Sequence, residues 1–257
     1  MIVKSKDIKI MMNKIQLNGR VFSLLLLAFI ISLYGSWMVN AQLGYGYSWL
    51  YEFYDTEQHI SRYAPQNKYR SGFEETTVAV HKEVFQKIVE SVHADGAGLG
   101  SIYYEYKDQS VPLLHEAERI HLQDVANLIN SIHYIAWLCM GIFIIAFIIE
   151  ARHQNKSKDR ASTLGILAVF SVLLILIAGV FLMFGAKAIF YHLHEIIFPA
   201  DHQWFFYYQD SLMSTLMKAP DLFAGIAVQI ALLAVIIYGF ILMGMRKILK
   251  GRQTTEG

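Results

Sequence analysis

The chain has 257 residues, 55% of them hydrophobic, and carries 22 Lys and Arg against 21 Asp and Glu for a formal net charge of +1. A soluble globular protein scatters its charges among its apolar residues. Here they are excluded from four windows, each near the roughly 20 residues a bilayer-spanning helix requires, and no basic patch suited to nucleic acid remains.

Residues 1–20 hold Lys4, Lys6, Lys9, Lys14 and Arg20 against Asp7 alone. The first apolar window, 21–39, follows directly. Its basic start and the Val39-Asn40-Ala41 sequence also fit a secretory signal peptide. The apolar stretch is long for that role, which favours an uncleaved helix. The region 41–130 is large enough for a small folded cap. It opens on Tyr45, Tyr47, Trp49, Tyr51, Phe53 and Tyr54, which read as an aromatic belt at the headgroup layer. Residues 59–72 read as polar and irregular around Pro65. Over 74–92 the recurrence of Val78, Val84, Phe85, Ile88, Val89 and Val92 predicts an amphipathic helix. Asp95–Gly100 is a turn rather than a nucleotide loop, and Ile102–Tyr106 a short strand. From Pro112, a residue suited to a first helical position, the pattern turns helical and runs into the second window, 132–149.

The loop 151–162 is basic, with Arg152, Lys156, Lys158 and Arg160 against Asp159. A third window spans 164–186. The segment 187–221 is rich in aromatics and reads as an interfacial outer piece. The fourth window, 222–245, is followed by a basic tail, 246–257. Within lipid a backbone must satisfy its own hydrogen bonds, so all four windows should be helices. Gly141, Gly179, Gly225 and Gly239 would allow those helices to approach closely. Cys139, the only cysteine, cannot form an internal disulfide and reads as a packing residue. The expected fold is an all-α membrane protein: one integral membrane domain over 1–257 with four transmembrane helices. An extracytoplasmic cap lies between the first two, and a shorter outer segment between the last two.

The flanking charges orient it. Seven basic and thirteen acidic side chains fall in 41–130, and two basic and four acidic in 187–221. Lys and Arg favour the cytoplasmic face. Residues 1–20, 151–162 and 246–257 should therefore be cytoplasmic, with both termini inside, and 41–130 and 187–221 outside.

Chemistry concentrates on two histidines just outside predicted spans, His121 and His194. Positions three apart share a helix face, so Asp124 can orient the His121 ring and stabilise its protonated form; Glu118 is a second possible partner. A surface hydrogen bond is the plainer reading of such a pair. His194 has Phe190 four residues before it and Phe198 four after, so on a helix the three share a face. Burial among rings favours the neutral imidazole and suits a base. The plainer reading is an interfacial histidine packed between rings. His192 and His202 are neighbouring alternatives.

His121-Leu122-Gln123-Asp124-Val125 resembles the HMxDV signature of the bacterial lipoprotein intramolecular transacylase (Lit) family. His194 to Phe198, then Trp204-Phe205-Phe206, Asp210-Ser211-Leu212-Met213 and Pro220, resemble that family's second block. Leu122 stands where the family usually has Met, Leu193 where it has Phe, and Tyr207-Tyr208 where it commonly has Asp-Pro. The resemblance implies a membrane acyltransferase in the bacterial cytoplasmic membrane. Its substrate is a lipoprotein whose N-terminal cysteine bears a diacylglyceryl thioether. One acyl chain moves from the glyceryl ester to the α-amine of that cysteine, giving the lyso form. The implied catalytic residues are His121, His194 and Asp124. Trp204, Phe190, Phe198 and Glu195 are implied at the substrate, the aromatics as acyl-chain lining or interface anchors. Such chemistry needs no cofactor or metal and no nucleophile from the enzyme. The alternatives are a non-catalytic membrane scaffold or chaperone, a haem protein, and a metal-dependent hydrolase using His121, Asp124, His192 and His194.

Overall fold

The computed structural model describes residues 5–153 and 185–251, with side chains from Gly19 onward except at His153, Ala186, Lys187 and 249–251. The predicted third span, nearly all of the loop 151–162 and the tail beyond 251 lie outside the described residues. The described elements are α1 (Ser5–Gln42), α2 (Tyr47–Phe53), α3 (Thr56–Tyr63), α4 (Val78–His93), strands β1 (Tyr103–Tyr106) and β2 (Gln109–Pro112), α5 (Glu116–His153), α6 (Ala186–Ile197), α7 (Leu212–Met217) and α8 (Asp221–Gly251).

Among the described residues three helical segments are long and apolar enough to cross a membrane: Gly19–Gln42, Glu116–Arg152 and Asp221–Ile248. They contain the first, second and fourth predicted windows. At about 1.5 Å per residue, α5 is far longer than a hydrocarbon layer of about 30 Å. Its acidic and basic residues are Glu116, Glu118, Arg119 and Asp124 before residue 125, and Glu150 and Arg152 at the other end. The membrane-spanning part is thus the charge-free stretch from about 132, and the first turns of α5 stand outside it. Along that stretch Tyr134, Trp137, Leu138 and Ile145 are exposed, as a lipid-facing helix requires.

The described residues fall into two compact units. One gathers the apolar lengths of the long helices: α1 as far as Trp37, α5 from Ile135 and α8 from Ala231. Within it Phe29 meets Tyr238 edge-on at 5.8 Å, and Gly35 lies against Ile237. Among the described residues nothing lies within 4 Å of the position a Cβ would take at Gly141 or Gly239. Gly225, in the other unit, does provide a close approach. Its helix passes so near α2 that a Cβ would lie 2.7 Å from Leu50 Cδ2 and 3.0 Å from Tyr54.

That second unit takes Met38–Tyr134 and the described part of Phe181–Ile230. Its core is built on α4, whose His81, Val84, Phe85, Ile88, Val89 and Val92 are buried at helical spacing. Thr77 caps the start of α4 by accepting from the Val80 N–H. The aromatic opening of the cap is not a belt throughout. Tyr47, Leu50 and Tyr51 are buried on one face of α2, and Tyr47 stacks on Phe85 at 3.8 Å, whereas Trp49 and Phe53 stay exposed. Fully burying one such side chain contributes roughly 1.5–3 kcal/mol. The Tyr51 hydroxyl donates to His81 Nδ1 at 2.7 Å, and His81 Nε2 meets Thr76 Oγ1 at 2.9 Å.

Two local readings need correction, and the predicted strand gains a partner. Residues 56–66 are helical, α3 followed by a 3-10 turn at Ala64–Gln66, because Ile60 has a buried site to fill. β1 has an antiparallel partner, β2, with Tyr104 opposite Val111. Pro112 ends that strand rather than starting a helix; its carbonyl accepts from Arg70 Nε, and α5 starts at Glu116.

Candidate active site

The start of α5 is fixed by a buried carboxylate. Glu118 Oε2 accepts the His115 N–H at 2.7 Å, the back-reach of a capping box. Glu118 Oε1 accepts the Ser211 hydroxyl at 2.5 Å and the Met213 N–H at 3.0 Å. Ser211 in turn caps α7 by accepting from the Ser214 N–H. One side chain therefore ties α5 to the chain leading into α7, and burial raises its pKa. His115 Nε2 adds a second tie by donating to the Asp210 carbonyl at 2.9 Å, and Lys68 pairs with Asp210 at 2.7 Å. Glu118 faces this anchor and makes no hydrogen bond to His121.

One turn further along α5, His121 is 8% exposed, flanked by the core positions Leu122 and Ala126. Its ring lies 6.3 Å from that of His194, 4.9 Å from Phe198 and 6.0 Å from Phe206. His121 Nδ1 is buried and has no hydrogen-bond partner among the described residues. Burial, reinforced by the neighbouring His194, lowers the His121 pKa to about 4. The ring is neutral at physiological pH.

His194 lies on α6. Phe190 sits at 3.9 Å and Phe198, the residue capping the helix, at 5.1 Å, so the three rings share one face. Trp204 packs on the same imidazole at 5.1 Å and Tyr191 packs on Trp204 at 5.7 Å. His194 Nδ1 lies 2.7 Å from the Phe190 carbonyl oxygen. A carbonyl can only accept, so Nδ1 carries the proton and the neutral ring keeps its lone pair on Nε2. Burial lowers the His194 pKa as well, against the opposing effect of that hydrogen bond.

Not every expected partner is where the spacing suggested. Asp124 gives its Oδ2 to His202 Nδ1 at 2.7 Å; it affects His121 only through its charge. The i to i+3 relation puts Asp124 on a neighbouring face, and the loop after α6 supplies a closer cation. Glu195 is exposed and faces His192 at 3.8 Å, away from the rings around His194. Of the four residues of the metal-hydrolase reading, His121 and His194 face each other, whereas Asp124 and His192 turn to other partners. His202 stood only as an alternative to the pair, and the spacing gave no sign of Phe206 beside His121 or of Tyr191 behind Trp204. Their one signal was aromatic and histidine density between α6 and α7.

A chain with helices long and apolar enough to span a bilayer, and with two imidazoles facing each other among aromatic rings, fits the class of integral membrane proteins. The model of the family described as lipoprotein intramolecular transacylase Lit matches residues 20–219, which include both histidine segments. The chain belongs to that family, and its function is of the lipoprotein-transacylase kind. Among solved structures it is similar to an in meso structure of the membrane integral lipoprotein intramolecular transacylase Lit from Bacillus cereus bearing a histidine-to-arginine mutation. The TM-score is 0.58 at 17% identity, covering 95% of this chain and 97% of that one, a likeness of fold. No curated protein matches the sequence.

Proposed function

We propose that this protein moves one acyl chain within a diacylglyceryl lipoprotein, from the glyceryl ester to the α-amine of the N-terminal cysteine, leaving the lyso form. The observation that carries the reading is the facing pair itself: His121 and His194, rings 6.3 Å apart, both held neutral, the first with an unpartnered buried nitrogen. The α-amine has an unperturbed pKa near 8 and needs a base to become a nucleophile at neutrality. His194 Nε2 takes its proton as the nitrogen attacks the ester carbonyl. A ring N–H of neutral His121 stabilises the oxyanion as it forms. When the C–O bond breaks, the proton held on His194 goes to the departing glyceryl oxygen. One C–N bond has formed and one C–O bond has broken, with no change of oxidation state. The roles of the two rings are interchangeable by the same chemistry.

Such proton transfer contributes typically about 10²–10⁴-fold. Amine and ester belong to one molecule, so proximity supplies a further large part of the acceleration. Phe190, Phe198 and Trp204 line the acyl chain in this reading. In this reading the reaction lies on the outer face of the bacterial cytoplasmic membrane, with four spans, the third over 164–186, and both termini inside, as the basic flanks favour. The test is mass spectrometry of lipoprotein N-termini from cells lacking other N-acyltransferases, with and without the gene. N-acyl, S-monoacylglyceryl cysteine is expected only with the gene. It should vanish in His121→Ala and His194→Ala. A non-catalytic scaffold predicts no such product and no effect of either substitution.

A further inference from the structure

Asp124 is the acidic residue of the first family-like segment, yet in this chain it is engaged by a histidine of the second. His202 Nδ1 lies 2.7 Å from Asp124 Oδ2. His202 sits in a short turn, its N–H on the Pro199 carbonyl, four residues after Phe198 and two before Trp204. Both of those rings touch His194, and Phe198 also touches His121. The contact therefore joins the loop that frames His194 to the helix that bears His121. It also disposes of a charge. Residues three apart on a helix have Cβ atoms about 5–6 Å apart, so a bare Asp124 carboxylate would act strongly on the His121 ring. A positive partner on that carboxylate cancels most of its field.

We propose that His202 is a positioning residue of this site: as a cation it takes up the Asp124 carboxylate and so weakens the pull of that charge on the His121 ring opposite His194. The inference rests on the reading of His121 and His194 as the reacting pair. The charged and titratable groups acting on His202 are Asp124 and Asp201; those acting on His121 are His194 and Asp124. The hydrogen bond to Asp124 raises the His202 pKa, so the cation persists toward neutrality. Burial and His194 lower that of His121, while the Asp124 charge raises it. Removing the His202 cation frees Asp124 to act on His121. Removing Asp124 as well removes that action.

The whole chain in lipid nanodiscs, labelled with ¹⁵N-histidine, gives the His121 titration midpoint by NMR. His202→Ala is expected to raise that midpoint by about one pH unit, as an opposite charge at this range does. Asp124→Asn in the same chain should abolish the rise. His202→Lys, which restores a cation, should reverse it, whereas His202→Asn, which keeps a donor but no charge, should not. The rate of acyl transfer on a synthetic S-dipalmitoylglyceryl cysteine lipopeptide should follow. Its acid limb moves to higher pH in His202→Ala, with the plateau at high pH retained. An unmoved His121 midpoint in His202→Ala, or a rise that survives Asp124→Asn, overturns the proposal. A wild-type protein inactive on the lipopeptide at every pH overturns the transfer reaction alone, because the NMR titration then still decides the role of His202.

Discussion

Burial of a neutral histidine links protonation to stability, and His121 gives the link a size. Its pKa falls from 6.5 to about 4 on folding, with desolvation the main cause. Between those values the unfolded chain binds a proton that the folded chain refuses. Stability therefore rises with pH across this window and is lost as pH falls from about 6.5 toward 4. For one such group the loss is ~2 kcal/mol at pH 5 and ~3 kcal/mol at pH 4, relative to neutral pH. The ring is almost fully buried, so solvent screening removes little of this. His121→Gln cannot titrate in this range. Thermal unfolding of the solubilised protein, followed by tryptophan fluorescence at pH 7.5, 6.5, 5.5 and 4.5, should show a wild-type midpoint falling several degrees more than that of the variant. A packing defect in the variant shifts its curve at every pH and leaves the slope alone. His194 and His59, lowered in the same direction, keep some slope in both proteins. Parallel curves for wild type and His121→Gln would refute the claim that this ring is held neutral by the fold.

Glu118→Ala leaves the Ser211 hydroxyl and the Met213 and His115 N–H groups without their acceptor. At roughly 1–3 kcal/mol for each stranded group it should lower the unfolding midpoint sharply and speed hydrogen exchange over 208–217; Glu118→Gln, which keeps one acceptor oxygen, should cost less. His194→Gln should slow acyl transfer about 10²–10⁴-fold in single-turnover mass spectrometry of the lipopeptide, with the unfolding midpoint little changed. Gly225→Val must displace Leu50 and Tyr54 and should destabilise by about 1–3 kcal/mol, while Gly141→Val and Gly239→Val, which meet nothing among the described residues, should be close to neutral.

The sequence made the spans legible because lipid imposes one rule on a long stretch: no charges and a complete set of internal hydrogen bonds. The amphipathic face of α4 was legible for a similar reason, a strong period sustained over four turns. The short elements were not. Whether 56–66 coils or forms a helix depends on Ile60 finding a cavity, and β2 exists only because β1 is beside it. Both are facts about distant residues. At the site, the i to i+4 spacing of Phe190, His194 and Phe198 gave a real shared face. The i to i+3 spacing of His121 and Asp124 gave only proximity, because a carboxylate on a helix surface turns to whichever donor a neighbouring segment offers. That donor, His202, is 78 residues away along the chain. The role of Glu118 was hidden in the same way: its local partner, His115, is three residues back, but Ser211 and Met213 come from beyond α6.

The geometry also bears on why the proposed transfer asks for two imidazoles rather than one. Two rings 6.3 Å apart resist holding a proton each, since each charge opposes the other, and His194 already contributes to lowering the pKa of His121. The pair accepts one proton at a time. Acyl transfer from ester to amine needs that capacity and no more: the proton leaving the nitrogen is the proton the departing oxygen requires. Holding it on one ring while the other stays neutral keeps an N–H donor available for the oxyanion throughout. A permanently charged group in place of His194 would hold the oxyanion but have nowhere to put the amine proton, because the proposed base is gone. On this argument His194→Arg should bind the lipopeptide and fail to turn it over, which single-turnover mass spectrometry beside a binding assay would read.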